Sequence, residues 1–283
     1  LTQLHRWCGA RNPPGENVCF ANAVAAALWS ADPLAAMTSG AAVSFARRIG
    51  LNPFVRGGDR RRQEDACEFL DLVWQHTASS QRSDVTTTTK TTIVGCACPG
   101  RNGTSTTVAV GPVVALVLGS PSVQLSIDKM AGEFDLACAR CAEATRLVES
   151  RVATPGPTLM IAIRRTAQSD SGGSVKDSRP MHIDGTLLID GARWTLRSAV
   201  CHLGSDTAAG HYVAFLRDPT SSIWTLADDD ISTPQGHDSP SVLATDAVLI
   251  AYKPADVPRA LLAPTVAVPA LDPSATGHAI SID

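Results

Sequence analysis

Pro13-Pro14-Gly15, followed closely by Cys19-Phe20-Ala21-Asn22-Ala23 and an alanine run ending in Leu28-Trp29, constrains this chain more than any other stretch. The first three residues form turns and do not sit inside a helix. From Cys19 to Trp29 the side chains are Cys, Phe, Ala, Val, Leu and Trp, with Asn22 the only strongly polar one. That composition reads as a buried helix opening at or just before Cys19. A thiol there stands at the positive end of the helix dipole, beside N–H groups that a helix cannot pair internally. Both effects favour the thiolate, the form that attacks carbonyl carbon. Most free cysteines are small buried hydrophobes instead, and a nucleophilic one needs a histidine from elsewhere in the chain.

The 283 residues accommodate one large domain or two small ones. A hydrophobic share of 44% with 18% charged residues suits a packed soluble protein. No run of about 18 apolar residues is free of Pro, Gly or charge, so no membrane-spanning segment is expected. No secretory signal is visible, and the start at Leu1 reads as a processed product or an excised fragment. The net charge of −3 gives no general attraction to nucleic acid, and no such partner is expected. Arg60-Arg61-Arg62 reads as a short solvated run, and a monomer is expected. Eight cysteines stand at 8, 19, 67, 96, 98, 138, 141 and 201. Two close pairs separated by a long insert look more like metal ligands than a disulfide framework, and the expected compartment is the reducing cytoplasm.

Along the chain, a second helical stretch is expected from Ala31 to Ile49, with Asp32 as N-cap, Pro33 at the first helical position and a break at Gly40. After a loop at Gly57-Gly58-Asp59, Glu64 to His76 forms an amphipathic helix. Its buried face carries Ala66, Phe69, Leu70, Val73 and Trp74. From residue 79 the texture changes to Ser, Thr and Gly, and then to short Val, Ile and Leu runs at 108–118, 123–127, 145–152, 158–165 and 186–190. These read as antiparallel strands. Ser169 to Ser178 reads as a polar loop, and strands resume at 194–203, 211–216, 223–226 and 247–252. The Pro- and Ala-rich residues 254–283 read as an extended tail or linker.

Gly210-His211-Tyr212 places a histidine where a glycine-containing loop enters a strand, and Trp224-Thr225-Leu226-Ala227 ends in Asp228-Asp229-Asp230. A turn at Asp218–Ser222 makes the two strands a hairpin, which brings His211 beside Asp228. Such a carboxylate orients an imidazole and stabilises its protonated form, and the same pair also serves as a purely structural unit.

Together these residues resemble the ubiquitin-specific protease family of papain-like cysteine deubiquitinases. Asn17-Val18-Cys19-Phe20-Ala21-Asn22-Ala23 is similar to the family's cysteine box. Arg62-Gln63-Glu64-Asp65-Ala66-Cys67-Glu68-Phe69-Leu70 resembles its Gln-Asp-Ala helix start. His202-Leu203-Gly204-Ser205 with Gly210-His211-Tyr212 resembles its histidine box, and Trp224 four residues before Asp228-Asp229 resembles the source of its third catalytic residue. The resemblance implies an α+β fold with a helical thumb at about 1–85 and a β-rich palm with zinc-binding fingers at about 86–253, so that 1–253 is one catalytic domain. It implies hydrolysis of the bond after the C-terminal glycine of ubiquitin or a ubiquitin-like modifier. In that chemistry Cys19 is the nucleophile, His211 base then acid, and Asp228 its orienting partner. Cys96, Cys98, Cys138 and Cys141 then fit one structural zinc in the fingers, with no open position for substrate.

The family's oxyanion-donating Asn, five residues before the nucleophile, is Pro14 here. Asn17, N–H groups at the helix start, or water held by Asp229 are the candidates for that role. Gly-rich residues and Asn-x-Cys also precede the nucleophile in ovarian-tumour-type deubiquitinases, but the helix at Gln63 and the Asp pair favour the first family. Two alternatives keep the fold. One is a protease that processes its own viral polyprotein, in keeping with the divergence and fragment-like start, which would place it in host cytoplasm. The other is a catalytically dead ubiquitin-binding domain.

Overall fold

The structure is a computed structural model, and it describes residues 11–12, 17–31, 64–76, 87–95, 103–110, 114–129, 132–137, 144–154, 158–169, 172–207 and 209–255. Its helices are α1 (Cys19–Ala31), α2 (Ala66–His76), α3 (Val123–Asp128) and α4 (Leu243–Asp246). The strands are β1 (Thr87–Gly95), β2 (Gly103–Val110), β3 (Val114–Val117), β4 (Gly132–Ala137), β5 (Ala144–Thr154), β6 (Leu159–Arg164), β7 (Thr166–Gln168), β8 (Ser174–Lys176), β9 (Thr186–Ile189), β10 (Ala192–Leu203), β11 (His211–Arg217), β12 (Trp224–Asp228), β13 (Ile231–Gly236) and β14 (Ala247–Pro254). No helix among the described residues is long and apolar enough to cross a membrane.

An eight-stranded sheet in the order β13-β12-β11-β10-β14-β6-β3, with β9 also on β10, forms the centre. Its pairings are antiparallel except β3 on β6. Antiparallel strands normally alternate apolar and polar residues, but Leu159–Ile163, Tyr212–Leu216 and Leu249–Tyr252 are buried without a break. The reason is that both faces are covered. One face carries Leu159, Ile161, Ile163, Trp194, Leu196, Val213, Phe215, Trp224, Ile250 and Tyr252. Residues one step out of phase, including Met160, Ala162, Val200, Tyr212, Ala214, Leu249 and Ala251, meet α1 and α2 on the other.

That second interface is made largely of alanine: Ala23, Ala26 and Ala27 of α1 and Ala66 of α2 lie against Ala162, Ala214, Ala227 and Ala251. Small side chains let α1 lie close to the strands, and the Ser198 Oγ donates to Ala27 O at 2.9 Å. Asp65 starts α2 by accepting from the N–H groups of Cys67 at 2.7 Å and Glu68 at 3.0 Å. The rings of Phe20 and Phe69 then join the two helices edge to face, 5.4 Å apart.

A separate four-stranded antiparallel sheet has the order β2-β1-β5-β4. Gly95 pairs with Arg146, and Ala137 with Ala144. The described ends from which residues 96–102 and 138–143 depart are therefore at the same end of this sheet.

The strand expected at 123–127 is helix α3. Ser122 caps it by accepting from Leu125 N–H at 3.2 Å, and so short an apolar alternation fits either structure. The run 108–118 divides between sheets at Gly111-Pro112, with β2 in the smaller and β3 in the larger. The polar loop expected at 169–178 contains β8, paired with β7. Thr-rich β1 lies in the stretch that sequence texture left unassigned, and β-branched Thr suits a strand. Ala31, the expected start of a second helix, is instead the last residue of α1, and Pro254, the expected start of the tail, ends β14. The rest of the expected helix (32–49) and residues 256–283 lie outside the described residues, as do Cys96, Cys98, Cys138 and Cys141.

Candidate active site

Helix α1 begins where the sequence placed it. Val18 is its last non-helical residue, and Val18 O accepts the Asn22 N–H at 3.0 Å. Cys19 is thus the first helical residue, 4% exposed and a member of the alanine-lined core. Across from it, β11 starts at His211 and β12 ends at Asp228. The Ala214–Ala227 pairing sets these two strand ends side by side, and His211 Nε2 lies 2.6 Å from Asp228 Oδ1. Cys19 hydrogen-bonds to the same imidazole. That contact is the largest influence on His211, and burial opposes it. Hydrogen bonding to Asp228 and the charges of both neighbours add to it, so the imidazole is pushed up from 6.5 to about 9. Elsewhere in the core, burial first, then nearby carboxylates, pushes the Cys67 and Cys201 thiols strongly up, which keeps them protonated.

Asp229 follows in a left-handed conformation, φ 49°. One of its oxygens accepts from Asn22 Nδ2 at 2.8 Å and the other from Asn12 Nδ2 at 3.1 Å. Asn12 Oδ1 in turn accepts from Val18 N–H at 3.3 Å. The one strongly polar residue of α1 therefore has its partner in the β12–β13 turn, as a buried amide must. Asn12 is the residue that reading the sequence missed. Counting five positions back from Cys19 lands on Pro14, whereas Asn12 lies seven back. The Asn directly before Pro13-Pro14 was the signal available. Asn17, the sequence candidate, is exposed just before Val18.

Among the described residues, the group of metal-capable side chains close enough to grip one ion is His211, Asp228 and Asp229, whose donor atoms lie within 4.8 Å of one another. Both Asp229 oxygens are held by Asn12 and Asn22, and Asp228 Oδ1 is joined to the His211 Nε2. That hydrogen bonding suits a polar line leading to the thiol better than a cation cage.

Residues 40–252 match the family described as ubiquitin carboxyl-terminal hydrolase. No curated protein matches the chain. Among solved structures, the SAGA DUB module of Ubp8, Sgf11, Sus1 and Sgf73 bound to monoubiquitin is similar at a TM-score of 0.65 and 16% identity, over 88% of this chain and 69% of that one. The same module bound to ubiquitin aldehyde gives 0.65 and 16%, over 88% and 70%. A yeast SAGA module with a substituted Sgf73 gives 0.65 and 14%, over 88% and 69%. At these identities the likeness is one of fold. The family match spans well over half of the chain, which therefore belongs to the ubiquitin carboxyl-terminal hydrolases, a family of cysteine-type deubiquitinating peptidases.

Proposed function

We propose that this chain hydrolyses the bond after the C-terminal glycine of ubiquitin or a ubiquitin-like modifier through Cys19, His211 and Asp228. The hydrogen-bonded line from the Cys19 thiol through His211 to Asp228 carries the reading. Asp228 engages Nε2, which leaves Nδ1 to serve the thiol. Asp228 then holds the ring and stabilises its protonated form. The Cys19 thiolate attacks the glycine carbonyl, and His211 passes its proton to the departing lysine amine. The resulting thioester is hydrolysed by a water that His211 deprotonates.

The tetrahedral oxyanion needs donors. Asn12 takes the part that Pro14 cannot: Asp229 orients its amide, whose second N–H remains available, and the first-turn N–H groups of α1 add to it. Asn22 helps by fixing Asp229. An intact line weighs against a domain that only binds ubiquitin, and no observation favours polyprotein processing.

One structural zinc on Cys96, Cys98, Cys138 and Cys141 is part of the same proposal. Support comes from the smaller sheet, where β1 and β5 are paired neighbours and the two cysteine-bearing segments depart from one end. Four thiolates suit a closed tetrahedral site, which supplies cross-linking alone.

The test is a ubiquitin probe with an electrophilic C-terminus, run beside Cys19→Ala. The wild type is expected to form a covalent adduct of the protein plus ubiquitin, and the variant none. Adduct formation in Cys19→Ala, or none in a folded wild type with any of ubiquitin and its homologous modifiers, would overturn the assignment.

A further inference from the structure

Lys176, at the end of β8, is 98% buried yet carries a full set of partners. Its ammonium donates to His202 O at 2.5 Å, to Gly204 O at 2.7 Å and to the Asp246 carboxylate. All three donors are used. Asp246 is itself held in place: Thr245 Oγ1 donates to its second oxygen at 2.6 Å. Arg165 donates to Ala244 O at 2.6 Å and Ala247 O at 3.1 Å on either side of it. The desolvation cost of burying a charge is offset only when the charge is paired this fully.

The two carbonyls that Lys176 grips belong to the end of β10 and the first residue of the loop leading to His211. Gly204 has φ 139°, and a Cβ there would lie 3.0 Å from Ala209 O and 3.1 Å from Gly210 Cα. Gly210 is tighter still: a Cβ would stand 2.4 Å from both His202 Nε2 and Leu203 O. The two ends of the 204–210 loop thus touch backbone to backbone, and only glycine permits it. His211 is the next residue. Between the ends, the described residues 205, 206 and 209 are exposed.

We infer that Lys176 is a positioning residue for His211: it pins Gly204, the close Gly204–Ala209–Gly210 contact carries that restraint across the neck, and the imidazole is thereby aimed at Cys19. This rests on the reading of Cys19 and His211 given above. Lys176 touches neither the thiol nor the substrate, so its loss acts through geometry.

The experiment compares wild type, Lys176→Met, Lys176→Arg and Gly204→Ala. Each is assayed for turnover of ubiquitin bearing a fluorogenic C-terminal amide, for the pH dependence of Cys19 alkylation by iodoacetamide, and for melting temperature. Lys176→Met is expected to lose kcat by about a hundredfold, the scale of a displaced catalytic group, with KM nearly unchanged. Its alkylation profile moves to higher pH as the imidazole leaves the thiol. Lys176→Arg, which keeps the donors, retains most of kcat. Gly204→Ala, which spreads the neck from the other side, follows Lys176→Met and keeps the test intact if that variant does not fold. A wild-type kcat and alkylation profile in Lys176→Met overturns the inference. So does a loss confined to melting temperature, with normal kcat per probe-titrated site. A folded wild type that turns over no reporter would instead refute the Cys19–His211 reading.

Discussion

On one face of the eight-stranded sheet the space is filled by Trp194, Trp224, Tyr252, Phe215 and a set of Ile and Leu; on the other, nine alanines bring α1 and α2 against the strands. The bulky face buries far more apolar area per residue, and with it most of the stability. The alanine face contributes less, but it sets a distance. Cys19 belongs to α1, whereas His211 and Asp228 stand at strand ends in phase with Val213 and Trp224. The thiol meets the imidazole at the ends of β11 and β12, so where α1 seats on the sheet helps decide whether the two groups meet. One layer keeps the protein folded and the other keeps it aligned.

The largest effect expected from breaking this division is on the bulky side. Leu196→Ala removes a side chain that is 1% exposed, and about 2–5 kcal/mol of stability should go with it. In urea unfolding the midpoint falls, while kcat at low temperature stays at the wild-type value. A kcat loss as large as the stability loss would show that the faces are not separate in function.

Asn12→Ala, on the aligned side, should do the reverse. Removing one oxyanion donor costs about a hundredfold in kcat, with a small change in melting temperature because Asn12 is only partly buried. Wild-type kcat would return the oxyanion role to Asn17 or to the backbone.

Ala214→Val tests the spacing directly, since Ala214 is fully buried between β10 and β12 in the core beneath α1. Overpacking of this kind costs about 1–3 kcal/mol. The expected signature is a kcat that stays depressed even where the variant is fully folded.

The smallest effect is a shift in pH dependence. The His211 imidazole, held at about 9, should give kcat/KM an alkaline limb there. Asp228→Ala removes an influence that raises it, so the limb moves to lower pH in the residual activity. Stability follows the same sign. A folded-state value above the unfolded one stabilises fully below pH 6.5, and that contribution is lost as pH rises through about 9. A limb unmoved by Asp228→Ala would leave Cys19 as the main support of the imidazolium.

Much of the aligned layer was legible in the sequence because its signals are local. The turn residues before Cys19, the apolar spacing of α2 and the hairpin joining His211 to Asp228 each lie within a short window. The Asp65 cap that moves the start of α2 from the expected Glu64 to Ala66 was seen only in the structure. Asn12 was not legible because its role depends on a contact 217 residues away, with Asp229. The order β10-β14-β6-β3 was hidden for a related reason. Strands covered on both faces lose the alternation that reveals which side they bury, and their partners are distant in sequence. Lys176 gave no sign either, since a lone Lys in a Gly- and Ser-rich stretch reads as solvated until the loop it grips is seen.

The two-residue turn at Asp229-Asp230 has a consequence for how the chain tolerates changes in length. Asp228 pairs with Ile231 directly across it. One residue added or removed there slips the pairing by a step and sends alternate side chains to opposite faces. The acid would turn from the imidazole, and Asp229 would leave both asparagines. The segment from Asn12 to Cys19 obeys no such parity, because its side-chain amide and its thiol are held separately by Asp229 and by the helix. Insertions and deletions are therefore filtered by position. A change of length before Cys19 need not disturb the Asn12–Asp229 contact or the start of α1, whereas a change in the Asp229-Asp230 turn shifts the register of β12 on β13.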